Sequence, residues 1–154
     1  MYLTPDRIDA GMFCEASAVF EAGAEVLFFG VVRDHSQGRK VLYLDYEAYE
    51  PMAEKLLGEA IREASSKWPL VHARVLHRTG RVGLGEIAVA LRVSAAHRDE
   101  AYKASRFLIE AIKHRVPIWK KEHFADGTCQ WSLCPRDPEN VKIPAASGIE
   151  AAAC

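Results

Sequence analysis

The side chains in this sequence best suited to chemistry are cations placed where elements should end. Arg33 follows the apolar run Val26 to Val32. His97 and Arg98 stand between a strand pattern and a helix pattern, Lys113 falls in that helix's last turn, and Lys120 and Lys121 begin the stretch after Pro117. Rigid elements present short loops at their ends, and binding and catalytic groups gather there. If these ends converge, they form a pocket with several positive charges and little acid, suited to a phosphate or a carboxylate. The helix start near Arg98 would add backbone donors for an anion. A lysine crowded by other cations has a lowered pKa and can act as nucleophile or proton donor.

Each of these residues also has an ordinary reading. A lysine near a helix C-terminus, such as Lys113, complements the helix dipole, and a lone histidine such as His97 more often caps or packs than catalyses. Lys120 and Lys121 alternate in a strand, so at most one of them faces a pocket. His97-Arg98-Asp99 matches the start of a protein-kinase catalytic loop, but the asparagine that motif needs is replaced by Ala104, and no glycine-rich phosphate loop accompanies it. No paired carboxylates or metal ligands stand at a useful spacing, which counts against a phosphate-ester hydrolase. Residue types and spacing alone lead to an α+β domain with an anion pocket.

The elements that must position these residues follow from periodicity. Asp9 to Glu21 has mixed helical character and stops before Gly23. Val26 to Val32 reads as a buried strand, Arg33 to Arg39 as a loop, and Val41 to Tyr49 as a second strand. Pro51 to Lys67 is an amphipathic helix with Met52, Leu56, Ala60, Ile61 and Ala64 inward, closed by Trp68-Pro69. A strand through Val71, Ala73, Val75 and His77 is followed by a turn over Arg81 to Gly85, and Glu86 to Ser94 returns as its partner. A helix from Arg98 to Arg115 turns Ala101, Ala104, Leu108, Ala111 and Ile112 inward, and Ile118 to Phe124 is one more strand. Short connections favour antiparallel pairing with the helices on one face of the sheet, an α+β fold. One domain spans residues 1–134, and 135–154 reads as a flexible tail.

Bulk properties narrow the function. At 154 residues, 49 % hydrophobic and 27 % charged, the chain has the composition of a globular domain that needs no metal or disulfide to fold. A net charge of -1 offers no overall grip on nucleic acid or an anionic membrane. No apolar stretch approaches the roughly 20 residues of a membrane span, and the N-terminus lacks a signal-peptide pattern, so the expected location is the cytoplasm. Cys14, Cys129, Cys134 and Cys154 form no C-x-x-C pair. Cys129 and Cys134 could meet on a hairpin, but reduced, incidental thiols are the better reading. Cys154, in an Ala-rich end, is not a positioned nucleophile.

Taken in order, several segments resemble one family, the large catalytic subunit of molybdopterin synthase. They are Phe29-Gly30-Val31-Val32-Arg33-Asp34-His35-Ser36, Leu44-Asp45-Tyr46-Glu47-Ala48-Tyr49, His77-Arg78-Thr79-Gly80 and Val93-Ser94-Ala95-Ala96-His97-Arg98. The most specific is Lys113-His114-Arg115-Val116-Pro117-Ile118-Trp119-Lys120-Lys121-Glu122. The resemblance implies an α+β homodimer, each copy binding a small ubiquitin-like sulfur-carrier subunit to give a heterotetramer. The partner's Gly-Gly C-terminus, as a thiocarboxylate, supplies sulfur to cyclic pyranopterin monophosphate, making the dithiolene of molybdopterin. No cofactor or metal is implied for the large subunit.

Carried over by position, Lys113 and Lys120 match the family's active-site lysines. Val31, Val32, Arg33, His97, Arg98, Lys113, Lys120, Lys121 and Glu122 match substrate-pocket positions, with Val31 and Val32 giving backbone contacts. The resemblance fades after Trp131; Arg136 could serve a neighbouring copy's pocket. The rival reading is a non-catalytic dimeric scaffold that binds a ubiquitin-like partner or a phosphorylated pterin. Retention of Arg33, His97, Arg98, Lys113 and Lys120 together argues against it.

Overall fold

The computed structural model describes residues 1–14 and 20–132. Helix α2 (Glu50–Lys67) starts with Pro51 in its first turn, where the missing N–H costs nothing, and ends at Trp68 in an extended conformation ahead of Pro69. Helix α3 (Arg98–Arg115) carries Asp99 and Glu100 in its first turn and Lys113, His114 and Arg115 in its last, charges that complement its dipole. Both spans agree with the periodicity of the sequence. So does the buried face of α3, which holds Ala101, Ala104, Leu108, Ala111 and Ile112.

The face of α2 departs from expectation. Ala53, Leu57, Ala60 and Ala64 are buried, whereas Met52 is 49 % exposed and Leu56 and Ile61 only flank the core. Small residues set this contact. The buried stripe of α2 is made of alanines around the single large side chain Leu57, and Leu56 and Ile61 lie to either side.

Strands β1 (Leu3–Thr4), β2 (Ala24–Val31), β5 (Leu70–Arg78) and β7 (Ile87–Ala95) form one sheet in the order β1-β5-β7-β2. β7 runs antiparallel to both neighbours, and β1 adds a short parallel pair to β5. Val89, Leu91 and Val93 of β7 meet Leu57 of α2 and Leu108 and Ile112 of α3 in the main core. On its other face, Ala90 packs with Ile8 and with Phe13 of the short helix α1 (Gly11–Cys14). Both helices thus lie on one face of this sheet. The helix expected over Asp9 to Glu21 is described only through α1 and the turn at 20–21, since 15–19 lie outside the described residues.

The second sheet contains β3 (His35–Ser36), β4 (Arg39–Ala48), β8 (Ile118–Phe124) and β9 (Cys129–Ser132) in that order, with β6 (Gly80–Gly83) paired to β4. All its pairings are antiparallel. Val32, Val41, Leu44, Val82, Ala88 and Phe124 form a smaller core that ties it to the first sheet.

Two segments expected as loop and turn prove to be paired. Gln37 and Gly38 both have positive φ, 51° and 76°, the conformation of a two-residue hairpin turn, so 33–39 folds back as β3 against β4. Residues 80–83 form β6 because Val82, fully buried, fills the second core; the chain turns later, at Gly85, where φ is 73°.

Cys129 is disulfide-bonded, contrary to the expected reduced thiol. It is 8 % exposed and follows the Gly127 turn, so it sits on the hairpin whose spacing allowed a second thiol to approach. Cys14 is free and exposed. Cys134, Arg136, Cys154 and the expected tail over 135–154 lie outside the described residues. No described helix is long and apolar enough to cross a membrane.

Candidate active site

A cleft of about 360 Å³ opens between the two sheets at the C-terminal end of α3. Its floor is apolar, with Phe28 of β2, Val89 of β7, Ile109 and Ile112 of α3 and Ile118 of β8. Arg33, Lys113 and Lys120 also line it, against a single carboxylate, Glu122. Three of the four element ends expected to converge do so.

Their delivery is local. Strand β2 pairs with β7 until a register shift between Gly30 and Val31. A Cβ on Gly30 would lie 2.7 Å from Cγ1 of Val89, so this close approach requires glycine. The irregularity re-aims the strand end, leaving Val31 56 % exposed and Val32 buried. The Val32 N–H already donates to the Glu86 carbonyl at 3.1 Å, and the Val32 carbonyl accepts from Gly85 N at 2.8 Å. Of the backbone contacts expected from this pair, Val31 is therefore the better placed. Arg33 follows, exposed and without an ion pair among the described residues.

The last turn of α3 separates its basic residues by partner. Arg115 donates to Glu63 of α2 at 2.6 Å, and His114 lies 3.0 Å from Glu110. Lys113 has no ion pair among the described residues and lines the cleft. On β8, alternation places Lys120 and Glu122 on the cleft side, 3.2 Å apart, with Glu122 buried. Lys121 points to the opposite face, with Nζ 5.9 Å from the Trp131 ring centroid.

His97 and Arg98 do not join this cleft. They stand at the opposite end of the 18-residue α3, about 22 Å along the axis from Lys113 at the usual helical rise. Four further polar residues line it: His35, Ser36, Tyr46 and His77. Strand alternation alone could have placed Tyr46 beside Leu44 and His77 beside Val75 on inward faces, without separating core from cleft. His35 and Ser36 lay in a segment that reads as loop. Burial pushes the His77 imidazole down from 6.5 to about 4, so the ring is neutral at pH 7. The His35 ring beside Asp34 holds that exposed carboxyl below its usual value. No group of His, Cys, Asp and Glu among the described residues could hold a metal ion.

An apolar floor under unpaired cations suits a flat, largely apolar molecule bearing an anionic group. Known proteins give that geometry a context. A family model described as MoaE protein matches residues 3–115. The chain is 48 % identical over 106 residues to a molybdopterin synthase catalytic subunit of Halalkalibacterium halodurans, covering 69 % of this chain and 68 % of the relative. A protein of the same name from Bacillus subtilis is 47 % identical over 111 residues, 72 % of this chain and 70 % of the relative. The solved structure of molybdopterin synthase from Staphylococcus aureus superposes with a TM-score of 0.78 at 41 % identity, covering 85 % of this chain and 95 % of that one. The matched span carries Arg33 and Lys113, the main core up to Ile112 and every member of the second core but Phe124, and by these agreements the chain belongs to the MoaE protein family.

Proposed function

We propose that this chain is the catalytic subunit of a molybdopterin synthase. It transfers two sulfurs from the thiocarboxylated C-terminus of a small ubiquitin-like subunit to cyclic pyranopterin monophosphate, forming the molybdopterin dithiolene. The observation that carries the reading is the pair of cations Arg33 and Lys113, without ion partners among the described residues, on an apolar-floored cleft beside Lys120. The substrate phosphate and the thiocarboxylate are both anions and would repel each other in one pocket without such cations.

In this mechanism the thiocarboxylate sulfur attacks a side-chain carbon of the pterin and displaces the oxygen it carries, the C–O bond breaking as the C–S bond forms and the departing oxygen taking a proton, which leaves the partner joined to the carbon as a thioester. Water then cleaves the acyl–sulfur bond, so the sulfur stays on the pterin and the partner leaves as a carboxylate. A second charged partner delivers the second sulfur. Lys113 polarises the leaving oxygen or the acyl carbonyl. Lys120, steadied by Glu122, holds the anionic tail.

His97 and Arg98 enter through assembly. The chain acts as a homodimer with two small subunits, and the helix start of one copy supplies His97 and Arg98 to the cleft of the other. Residues 1–134 make up the catalytic domain, and the reaction takes place in the cytoplasm. Mixing the protein with thiocarboxylated small subunit and cyclic pyranopterin monophosphate tests the reading. Dithiolene product is expected; its absence, with the partner charged and this protein folded, would leave the scaffold reading in its place.

A further inference from the structure

His77 lines the cleft with Arg33, Lys113 and Lys120 but has no task in the chemistry above. It is 5 % exposed, and its ring meets Tyr46 edge-on with centroids 5.1 Å apart. Its position is fixed from both sides. Its backbone N–H donates to the Tyr2 carbonyl at 2.8 Å, and the next residue, Arg78, is held by Glu86 at 2.6 Å.

The ring's hydrogen bonding determines what it offers. Nδ1 lies 2.9 Å from the Arg78 carbonyl oxygen. A carbonyl can only accept, so Nδ1 carries the proton and Nε2 of the neutral ring keeps its lone pair. Burial keeps the ring neutral at pH 7. Nε2 has no hydrogen-bond partner among the described residues. Nε2 is not among the buried side-chain atoms that lack a partner, so it opens on the cleft, where an N–H brought by a ligand can take the place of water.

A phosphate and a thiocarboxylate present only acceptors, so Nε2 disfavours both. A pterin ring presents N–H donors. We propose that Nε2 of His77 accepts a hydrogen bond from an N–H of the pterin ring and so orients the heterocycle, ring toward the floor and phosphate toward Arg33 and Lys113. This rests on the pterin-substrate reading above and adds the residue that sets the ring's direction.

Two substitutions separate this role from a structural one. In His77→Asn the amide can keep the donor to the Arg78 carbonyl but has no atom at the Nε2 position; in His77→Gln an oxygen reaches near that position. In the reconstituted synthase, His77→Asn should raise KM for cyclic pyranopterin monophosphate about tenfold, the worth of one hydrogen bond in a cleft closed over by its ligand, with kcat within about twofold. His77→Gln should recover most of the loss. An unchanged KM in His77→Asn, or equal losses of kcat at constant KM in both variants, would overturn the role.

A measurement on the unmodified protein covers the case of a variant that fails to fold. With nitrogen-15-labelled histidine, the unprotonated Nε2 resonance of His77 should move upfield when the precursor saturates the cleft without the partner. An unmoved resonance at saturation contradicts the inference. A protein that neither binds the precursor nor turns it over overturns the functional reading as well, whereas turnover with His77 silent overturns this inference alone.

Discussion

At the residue scale, ion pairing separates the basic side chains around the end of α3. Arg115 and His114 engage acids on α2 and α3, Lys120 engages Glu122, and Lys113 and Arg33 face the cleft without ion pairs among the described residues. Replacing Lys120 with Ala strands the buried Glu122 carboxylate, which should cost about 1–3 kcal/mol in urea denaturation. Lys120→Ala combined with Glu122→Gln should recover stability but not turnover. His77 makes stability depend on pH. Unfolded, it takes up a proton near pH 6.5; folded, only near 4. The unfolded chain therefore binds more protons in this window, so the contribution is whole above pH 6.5 and is lost as pH falls toward 4. The loss should be about 3 kcal/mol, and denaturation curves of His77→Gln should lack this slope.

At the element scale, the sequence was most legible where apolar spacing was long and regular. The span and inward face of α3 follow from it, and strand alternation separates Lys120 from Lys121. The face of α2 was less legible because most of its buried positions are small, Ala53, Ala60 and Ala64 among them, and carry little hydrophobic signal beside Met52 and Leu56. Leu57→Ala should cost about 2–5 kcal/mol and Met52→Ala about 0.5 or less, measured by urea denaturation. The reverse order would restore the face expected from the sequence. β6 was hidden by glycines that read as a turn, and its strand character comes from pairing with β4. Gly30 reads as one apolar-run residue among others, yet Val89 leaves no room for a side chain there. Gly30→Ala should destabilise by about 1–3 kcal/mol, and Val89→Ala in the same chain should return part of that loss.

At the scale of the whole molecule, the candidate site was legible as a set of residues but not as one place. Arg33, Lys113 and Lys120 meet in a single chain, while His97 and Arg98 stand at the far end of α3. Sequence spacing does not reveal which ends of a helix share a cleft within one copy and which meet across two. If a second copy supplies them, Lys113→Ala and Arg98→Ala proteins, each inactive alone, should complement when refolded together. Random pairing makes half the dimers mixed, each with one intact site, so about a quarter of wild-type activity is expected. No recovery would place Arg98 outside the partner's cleft.

The central claim is that sulfur transfer takes place in the cleft at the end of α3, with Lys113 at the reacting atoms. Its most direct test is a single-turnover comparison of wild type and Lys113→Ala, each given thiocarboxylated small subunit and cyclic pyranopterin monophosphate, with dithiolene as the readout. Wild type should give product and the variant none, with the same unfolding midpoint for both. Dithiolene formed at the wild-type rate by a folded Lys113→Ala protein would contradict that claim.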